Sequence, residues 1–473
     1  MIGGYSPEAH EKPLHGYQNF AAEWALDKLY VKDLPGCGLF LDPGLGKTRT
    51  TLTIIDFLQK VGEVKRALIV APLRPVYAVW PGEVDRWGFP QSKVILHGQH
   101  ATAMAHNQAI EFVNYEGLEK LKHIKKRWDL IVFDESTWVK TWKSERTKNA
   151  KEIIKNIPKR MILTGTPASN SLADLHAQIF MIDNGERLGK TVTMFRNRFM
   201  VQSGWRGRQW KVREGMGVGR MIKDAIKDVT LRMQAEDFLD MPKLVHNEIW
   251  CTMPETPYKQ YRRLKRELYA ELDSGEVFAL NQASAYTKCR QFANGQILSQ
   301  SEPGAPKEVR LAHREKVNAL YELNEELSGK PLLILYWFNQ DREAIMNSPG
   351  SPFKGCPVIK GGMNPNDVAK VIDGWNSDKH RAIICQWAAT SHGLNMQYGQ
   401  CADIACFGIV DSLDIFEQAY RRVYRQGVAV PQIRVHKILT RGTVDEVMVE
   451  RLQGKHETQS SFLNALKRHA KGD

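Results

Sequence analysis

Short apolar runs alternate with longer amphipathic stretches along most of the chain. In the first half the runs are Gly38–Leu41, Ala67–Ala71, Ile110–Asn114, Asp129–Asp134 and Met161–Thr164. In the second half they are Pro331–Phe338, Pro357–Ile359, Arg381–Trp387, Ala402–Gly408 and Ile433–Leu439. Apolar runs of this length without polar alternation mark strands buried on both faces, as in parallel sheets. Helical stretches between them give βαβ units. Two such series predict an α/β fold of two tandem lobes, each with a parallel central sheet and helical insertions. From about Asn184 to Leu327 the pattern turns polar and helix-rich, with amphipathic helices predicted over Thr256–Asp273 and Val309–Leu327. Met241-Pro242 reads as a turn near the lobe boundary. The expected division is 1–245, with a basic and aromatic insertion at about 185–240, and 246–473, with a helical linker at about 246–330.

Charge sharpens this picture. The 473 residues carry 66 Lys+Arg against 53 Asp+Glu, a formal net charge of +13, which favours a polyanionic partner. A hydrophobic content of 42% with 25% charged residues is that of a globular protein and excludes wholesale disorder. No apolar run approaches the ~18–20 residues of a membrane span, and Met1–His10 lacks the layout of a secretory signal. The expectation is a cytoplasmic protein with no membrane partner. The seven cysteines form no CxxC pair, and Cys401 and Cys406 read as small buried hydrophobes rather than zinc ligands.

The chemistry-bearing segment is Asp42-Pro43-Gly44-Leu45-Gly46-Lys47-Thr48, between a predicted strand and a helical run over Arg49–Lys60. Glycines let backbone amides close around phosphate oxygens, here with Gly44, Leu45 and Gly46 as the cradle. Lys47 reaches the β/γ-phosphates of ATP and the Thr48 hydroxyl ligates Mg²⁺. The full phosphate-loop pattern fails at its first position, where Leu41 stands. About 90 residues on, the apolar run Leu130–Phe133 ends in Asp134-Glu135. Asp134 is expected to hold the Mg²⁺ and Glu135 to polarise the attacking water.

With these two segments in place, the chain resembles the superfamily 2 helicase-like ATPases of the Swi/Snf type, which move on double-stranded DNA. The likeness runs in order along nearly the whole chain. Leu14-His15-Gly16-Tyr17-Gln18 is similar to the family's glutamine motif, which implies that Gln18 reads adenine. Leu68–Leu73 with Trp80 and Trp87 is similar to motif Ia, Val113-Asn114-Tyr115-Glu116 to motif Ib, and Met161–Asn170 to motif III. In the second half Leu332–Phe338 resembles motif IV, Thr390–Met396 motif V, Gln418–Gly427 motif VI, and Gly442–Glu446 the start of a bracing helix, expected over about 443–455. The resemblance implies two RecA-like lobes, with ATP and Mg²⁺ as cofactors and Gly393 close to the nucleotide. It also implies nucleic-acid contacts at Pro72, Arg74, Asn114, Tyr115, Thr164, Thr390, Ser391 and Asn395.

Motif VI also has a physical rationale. Arg422 and Arg425 are spaced to share one face of a helical turn, and paired guanidinium groups suit a γ-phosphate transition state. The plainer reading is a solvated basic helix face. With Lys47 on one lobe and these arginines on the other, hydrolysis would require the lobes to close. Val201–Arg220 interleaves Trp205 and Trp210 with basic residues; Arg206, Arg208 and Lys211 are candidate DNA contacts on a hairpin-like insert. A surface loop is the alternative.

Three departures from the family pattern stand out. Ser136-Thr137 replaces the usual Ala-His, Asp411-Ser412-Leu413 replaces Trp-Asn-Pro, and Val428 follows Gly427 where Gln is usual. None removes a phosphate-contacting group. The short flanks outside the motifs resemble compact bacterial and phage members, with roles in replication, recombination or repair and with any targeting left to protein partners. A strand-separating helicase on branched DNA or RNA remains an alternative, as does a nucleotide-gated DNA clamp with little turnover.

Overall fold

A computed structural model describes residues 13–73, 75–89, 93–95, 110–124, 127–168, 171–203, 209–213, 217–273, 278–299, 308–390, 394–425 and 428–453. The chain divides into two units, Met1–Asp240 and Met241–Asp473.

In the first unit the apolar runs become β1 (Gly36–Leu41), β2 (Ala67–Ala71), β4 (Ile110–Asn114), β5 (Leu130–Asp134) and β6 (Lys159–Leu163). With β3 (Lys93–Ile95) and β9 (Thr230–Met233) they form a seven-stranded sheet in the order β3-β4-β2-β5-β6-β1-β9. Every pairing in it is parallel. Strands β1, β2, β5 and β6 are buried along their whole length, which is why their sequences show no alternation. Close packing of helix Leu175–Asp183 on β1 leaves room only for glycine at position 36, where a Cβ would lie 2.7 Å from both the Arg160 carbonyl oxygen and Ile182 Cβ. The antiparallel pair β7 (Met200–Ser203) and β8 (Gln209–Val212) stands apart from the main sheet.

The second unit has a six-stranded parallel sheet. Its strands are β10 (Lys243–Cys251), β13 (Leu332–Tyr336), β14 (Val358–Ile359), β15 (Ala382–Gln386), β16 (Asp403–Cys406) and β17 (Gln432–Thr440), in the order β10-β17-β16-β13-β15-β14. Leu333, Leu335 and Ile383 pack into one core layer, and Leu332, Ile334 and Ile384 into another. Helices Glu255–Asp273 and Phe278–Ala293 meet helix Val444–Leu452 around Tyr261, Cys289, Phe292 and Met448.

Two expectations for the middle of the chain need correction. It is not only helical: β9 and β10 form one edge of each sheet, and β10 escapes an apolar-run reading because exposed and half-buried positions fill it up to Cys251. The predicted helix over Val309–Leu327 begins only at Glu315. Ahead of it, β12 (Glu308–Leu311) pairs antiparallel with β11 (Gln296–Ser299). Val309 and Leu311 are 53% and 63% exposed, so the residues that resembled a buried helical stripe face outward. The amides of Ala312 and His313 both donate to the Gly295 carbonyl, which turns the chain before the helix can start.

All seven cysteines are free, and all but half-exposed Cys356 are buried. Burial pushes the thiols of Cys37, Cys289, Cys401 and Cys406 up to about 12. Among the described residues no helix is long and apolar enough to cross a membrane.

One ion pair lies fully inside the second unit. Lys316 Nζ, with no exposed side-chain surface, donates to Asp445 Oδ2 at 2.6 Å and to Asn294 Oδ1 at 2.9 Å. Asp445 also accepts from the Thr440 amide, so three elements meet on one charge. Substituting Lys316→Met leaves that carboxylate uncompensated and is expected to cost about 3–5 kcal/mol in denaturant unfolding. The double variant Lys316→Met/Asp445→Asn should recover most of the loss.

Candidate active site

The order β5-β6-β1 brings the C-terminal ends of three parallel strands side by side, where open α/β sheets bind ligands. Beyond β1 the chain forms the loop Asp42–Gly46 and enters helix Lys47–Lys60. Gly46 caps that helix in the left-handed region (φ 72°), which favours glycine. A Cβ there would fall 2.1 Å from Gln18 Nε2. Gln18 is buried, accepts from the His15 amide at 3.1 Å and donates to the Leu45 carbonyl at 3.3 Å, so it braces the loop. Lys47 Nζ donates to the Leu41 carbonyl at 2.8 Å, and Thr48 follows in the first helical turn, whose amide dipoles favour anions.

Beyond β5, Asp134 is buried. Its Oδ2 accepts from Trp80 Nε1 at 2.9 Å and its Oδ1 from the Glu135 amide at 3.1 Å. Burial raises its pKa, while the Trp80 bond, the Lys47 charge and the Glu135 amide oppose the rise. The lysine beyond β1 therefore acts on the carboxylate at the end of β5, across the intervening β6. Glu135 is itself left-handed (φ 52°), a strained conformation for a non-glycine residue.

The turn beyond β6 completes the group. Thr164 Oγ1 donates to Glu135 Oε2 at 3.5 Å and accepts from the Thr166 amide at 3.1 Å. Ser136 Oγ donates to Gln178 Oε1 at 2.7 Å, and Gln178 Nε2 donates to the carbonyls of Pro167 (2.6 Å) and Asp174 (2.9 Å). Ser136 and Gln178 have no exposed surface, so a buried link joins the carboxylate turn to the Thr164–Pro167 turn.

In the second unit helix Leu413–Tyr420 ends before the arginines, and residues 421–425 continue as turns and bends. Arg422 Nε donates to the Thr390 carbonyl at 2.8 Å, and Arg425 Nη1 donates to Asn395 Oδ1. Burial, then repulsion from Arg422, lowers the Arg425 guanidinium to about 9, still charged at neutral pH. The two cations thus lie close together on the same segment.

This order of motifs matches a known family. The SNF2-related domain model matches residues 17–300, more than half of the chain. The chain belongs to the SNF2-related domain family. Its relatives include a protein of Acyrthosiphon pisum secondary endosymbiont phage 1 described as putative protein p41, 31% identical over 93% of this chain and 96% of that protein. Another is human SWI/SNF-related matrix-associated actin-dependent regulator of chromatin subfamily A member 1, 22% identical over 94% of this chain. This chain spans only 43% of that relative's length. Among solved structures, the Sulfolobus solfataricus SWI2/SNF2 ATPase core in complex with dsDNA aligns over 98% of this chain and 95% of that one, with 21% identity and a TM-score of 0.46.

The side chains expected to meet nucleic acid in this SNF2-related chain differ in what engages them. Tyr115 is fully buried and its hydroxyl donates to the Asp134 carbonyl at 2.7 Å, which anchors the carboxylate strand. Thr164 is buried and engaged with Glu135. The buried Thr390 hydroxyl donates to the Trp387 carbonyl at 2.7 Å. Pro72 is buried. The three hydroxyls are each satisfied within the fold, as buried polar groups require. Asn114 uses its side chain to cap the Gly117 amide at 3.1 Å. Asn395 is exposed and accepts from half-buried Arg425. Lys211 lies half-buried on β8 opposite Val201. Arg74, Arg206, Arg208, Ser391 and Gly393 lie outside the described residues.

Sequence reasoning missed Gln178, whose partner Ser136 is 42 positions away. Ser136→Ala and Gln178→Leu are each expected to lower ATP turnover about 10-fold while leaving KM for ATP within about twofold. Because both remove one link, the double variant should be no slower than Gln178→Leu alone. Steady-state kinetics of the three variants provide the check.

Proposed function

We propose that this SNF2-related chain is an ATP- and Mg²⁺-dependent motor that moves along double-stranded DNA. The observation that carries this reading is the convergence of Gly44–Thr48, Asp134-Glu135 and Thr164 at one end of one parallel sheet. The net charge of +13 suits a polyanionic track held through phosphates rather than bases.

The residues divide the work. Lys47 binds the β/γ-phosphates, Gln18 holds the loop and faces the adenine, and Glu135 orients and polarises the attacking water. Its partner Thr164 reports the state of that carboxylate to the Thr164–Pro167 turn. The oxygen donors Thr48 and Asp134 fit Mg²⁺, which neutralises phosphate charge when bound. Arg422 and Arg425 supply the guanidinium charge that stabilises the transition state. Gly393 is assigned to the nucleotide and Asn395, Arg74 and Ser391 to the strand.

A role in replication, recombination or repair in a phage-infected bacterial cell fits the near full-length match to the phage relative. In that setting the protein would work in the host cytoplasm at the nucleoid, on branched or forked DNA where protein partners deliver it.

ATP hydrolysis measured with duplex DNA, single-stranded DNA and RNA tests the proposal. Duplex DNA is expected to stimulate turnover most, and Glu135→Gln to reduce it by about 10³-fold or more while ATP still binds. Displacement of a third strand from duplex DNA supports movement along the duplex; strand separation without it would overturn that reading. Arg206→Glu/Arg208→Glu/Lys211→Glu should abolish DNA stimulation and spare basal turnover, and unchanged stimulation removes the 201–220 segment from the DNA path.

A further inference from the structure

Arg232 stands on β9, in register with Phe40 of β1, and its guanidinium reaches two groups at once. Nη2 donates to Asp42 Oδ1 at 2.8 Å, and Nη1 donates to the Gly165 carbonyl at 2.5 Å. The other Asp42 oxygen accepts from the Ala235 amide at 3.3 Å, and the Asp42 amide donates to the Met233 carbonyl at 3.1 Å. Asp42 is thus tied to β9 through side chain and backbone, and its side chain is 9% exposed. It directly precedes half-buried Pro43 and exposed Gly44, where a triphosphate would bring further negative charge beside this buried carboxylate. An uncompensated carboxylate there would oppose nucleotide binding. On the other side, the Gly165 turn lies against the loop closely enough that a Cβ at Gly165 would come within 2.9 Å of Pro43 Cδ.

We infer that Arg232 is a positioning residue with two separable tasks: offsetting the Asp42 charge beside the phosphate loop, and pinning the Gly165 carbonyl so that the Thr164–Pro167 turn stays registered to that loop. This rests on the ATPase reading above. Arginine suits the dual role because its fork spans two acceptors, whereas lysine brings the charge to one.

Binding of methylanthraniloyl-labelled ATP and single-turnover hydrolysis separate the tasks, with melting temperature as a check on folding. Arg232→Met is expected to weaken binding about 10-fold and to slow hydrolysis about 10-fold. Adding Asp42→Asn should return binding to within about threefold of the parent but leave hydrolysis slow, because Gly165 has lost its donor. Arg232→Lys should bind normally and hydrolyse slowly. Binding and hydrolysis both within about twofold of the parent in Arg232→Met would overturn the inference, as would a double variant that fails to regain binding. If Arg232→Met does not fold, Arg232→Lys decides: normal binding with slow hydrolysis supports the clamp, and unchanged hydrolysis overturns it. A parent chain that binds no labelled ATP instead overturns the ATPase reading, and the inference with it.

Discussion

A carboxylate held away from water has to be answered by donors, and the first unit is arranged around that requirement at Asp134. Trp80 and the Glu135 amide give it hydrogen bonds, and Lys47 gives it an opposing charge. Each donor constrains another element. Trp80 fixes its helix against β5, and the Glu135 amide requires the left-handed turn that aims the second carboxylate at Thr164. Lys47 requires the loop beyond β1 to bring its helix to the same strand ends. Tyr115 closes the arrangement from beneath by holding the Asp134 carbonyl.

The carboxylate turn departs from the family pattern at Ser136-Thr137, and the structure gives that departure a physical meaning. A serine hydroxyl in a fully buried place needs a partner, and Gln178 on the helix that follows the Thr164–Pro167 turn provides one. Because Gln178 also holds the Pro167 carbonyl, the substitution does not leave the two turns uncoupled. Coupling passes through a side-chain amide instead.

The sheets were largely legible in the sequence, because strands buried on both faces show as uninterrupted apolar runs. Every such run singled out lies in one of the two sheets. The strands that escaped notice are short or half-exposed, as β3, β9 and β10 are. The phosphate loop and the Asp134-Glu135 pair were legible because spacing within a strand-turn-helix unit is local information. Pairings between remote residues were not. Arg232 and Asp42 are 190 positions apart, and nothing near either one signals the other. Nor does a motif reveal which way a threonine or tyrosine points. Tyr115, Thr164 and Thr390 occupy motif positions associated with a nucleic-acid strand, yet their hydroxyls donate to the Asp134 carbonyl, the Glu135 carboxylate and the Trp387 carbonyl.

The protected thiols have a practical consequence. With the other six sulfurs buried, several of them kept firmly protonated, Cys356 is the native site most open to a maleimide. Once it is replaced by serine, dyes attached at one engineered cysteine on each unit would face little competition from the native sulfurs. Energy transfer between the dyes would then show whether the distance between the two units changes when nucleotide is added.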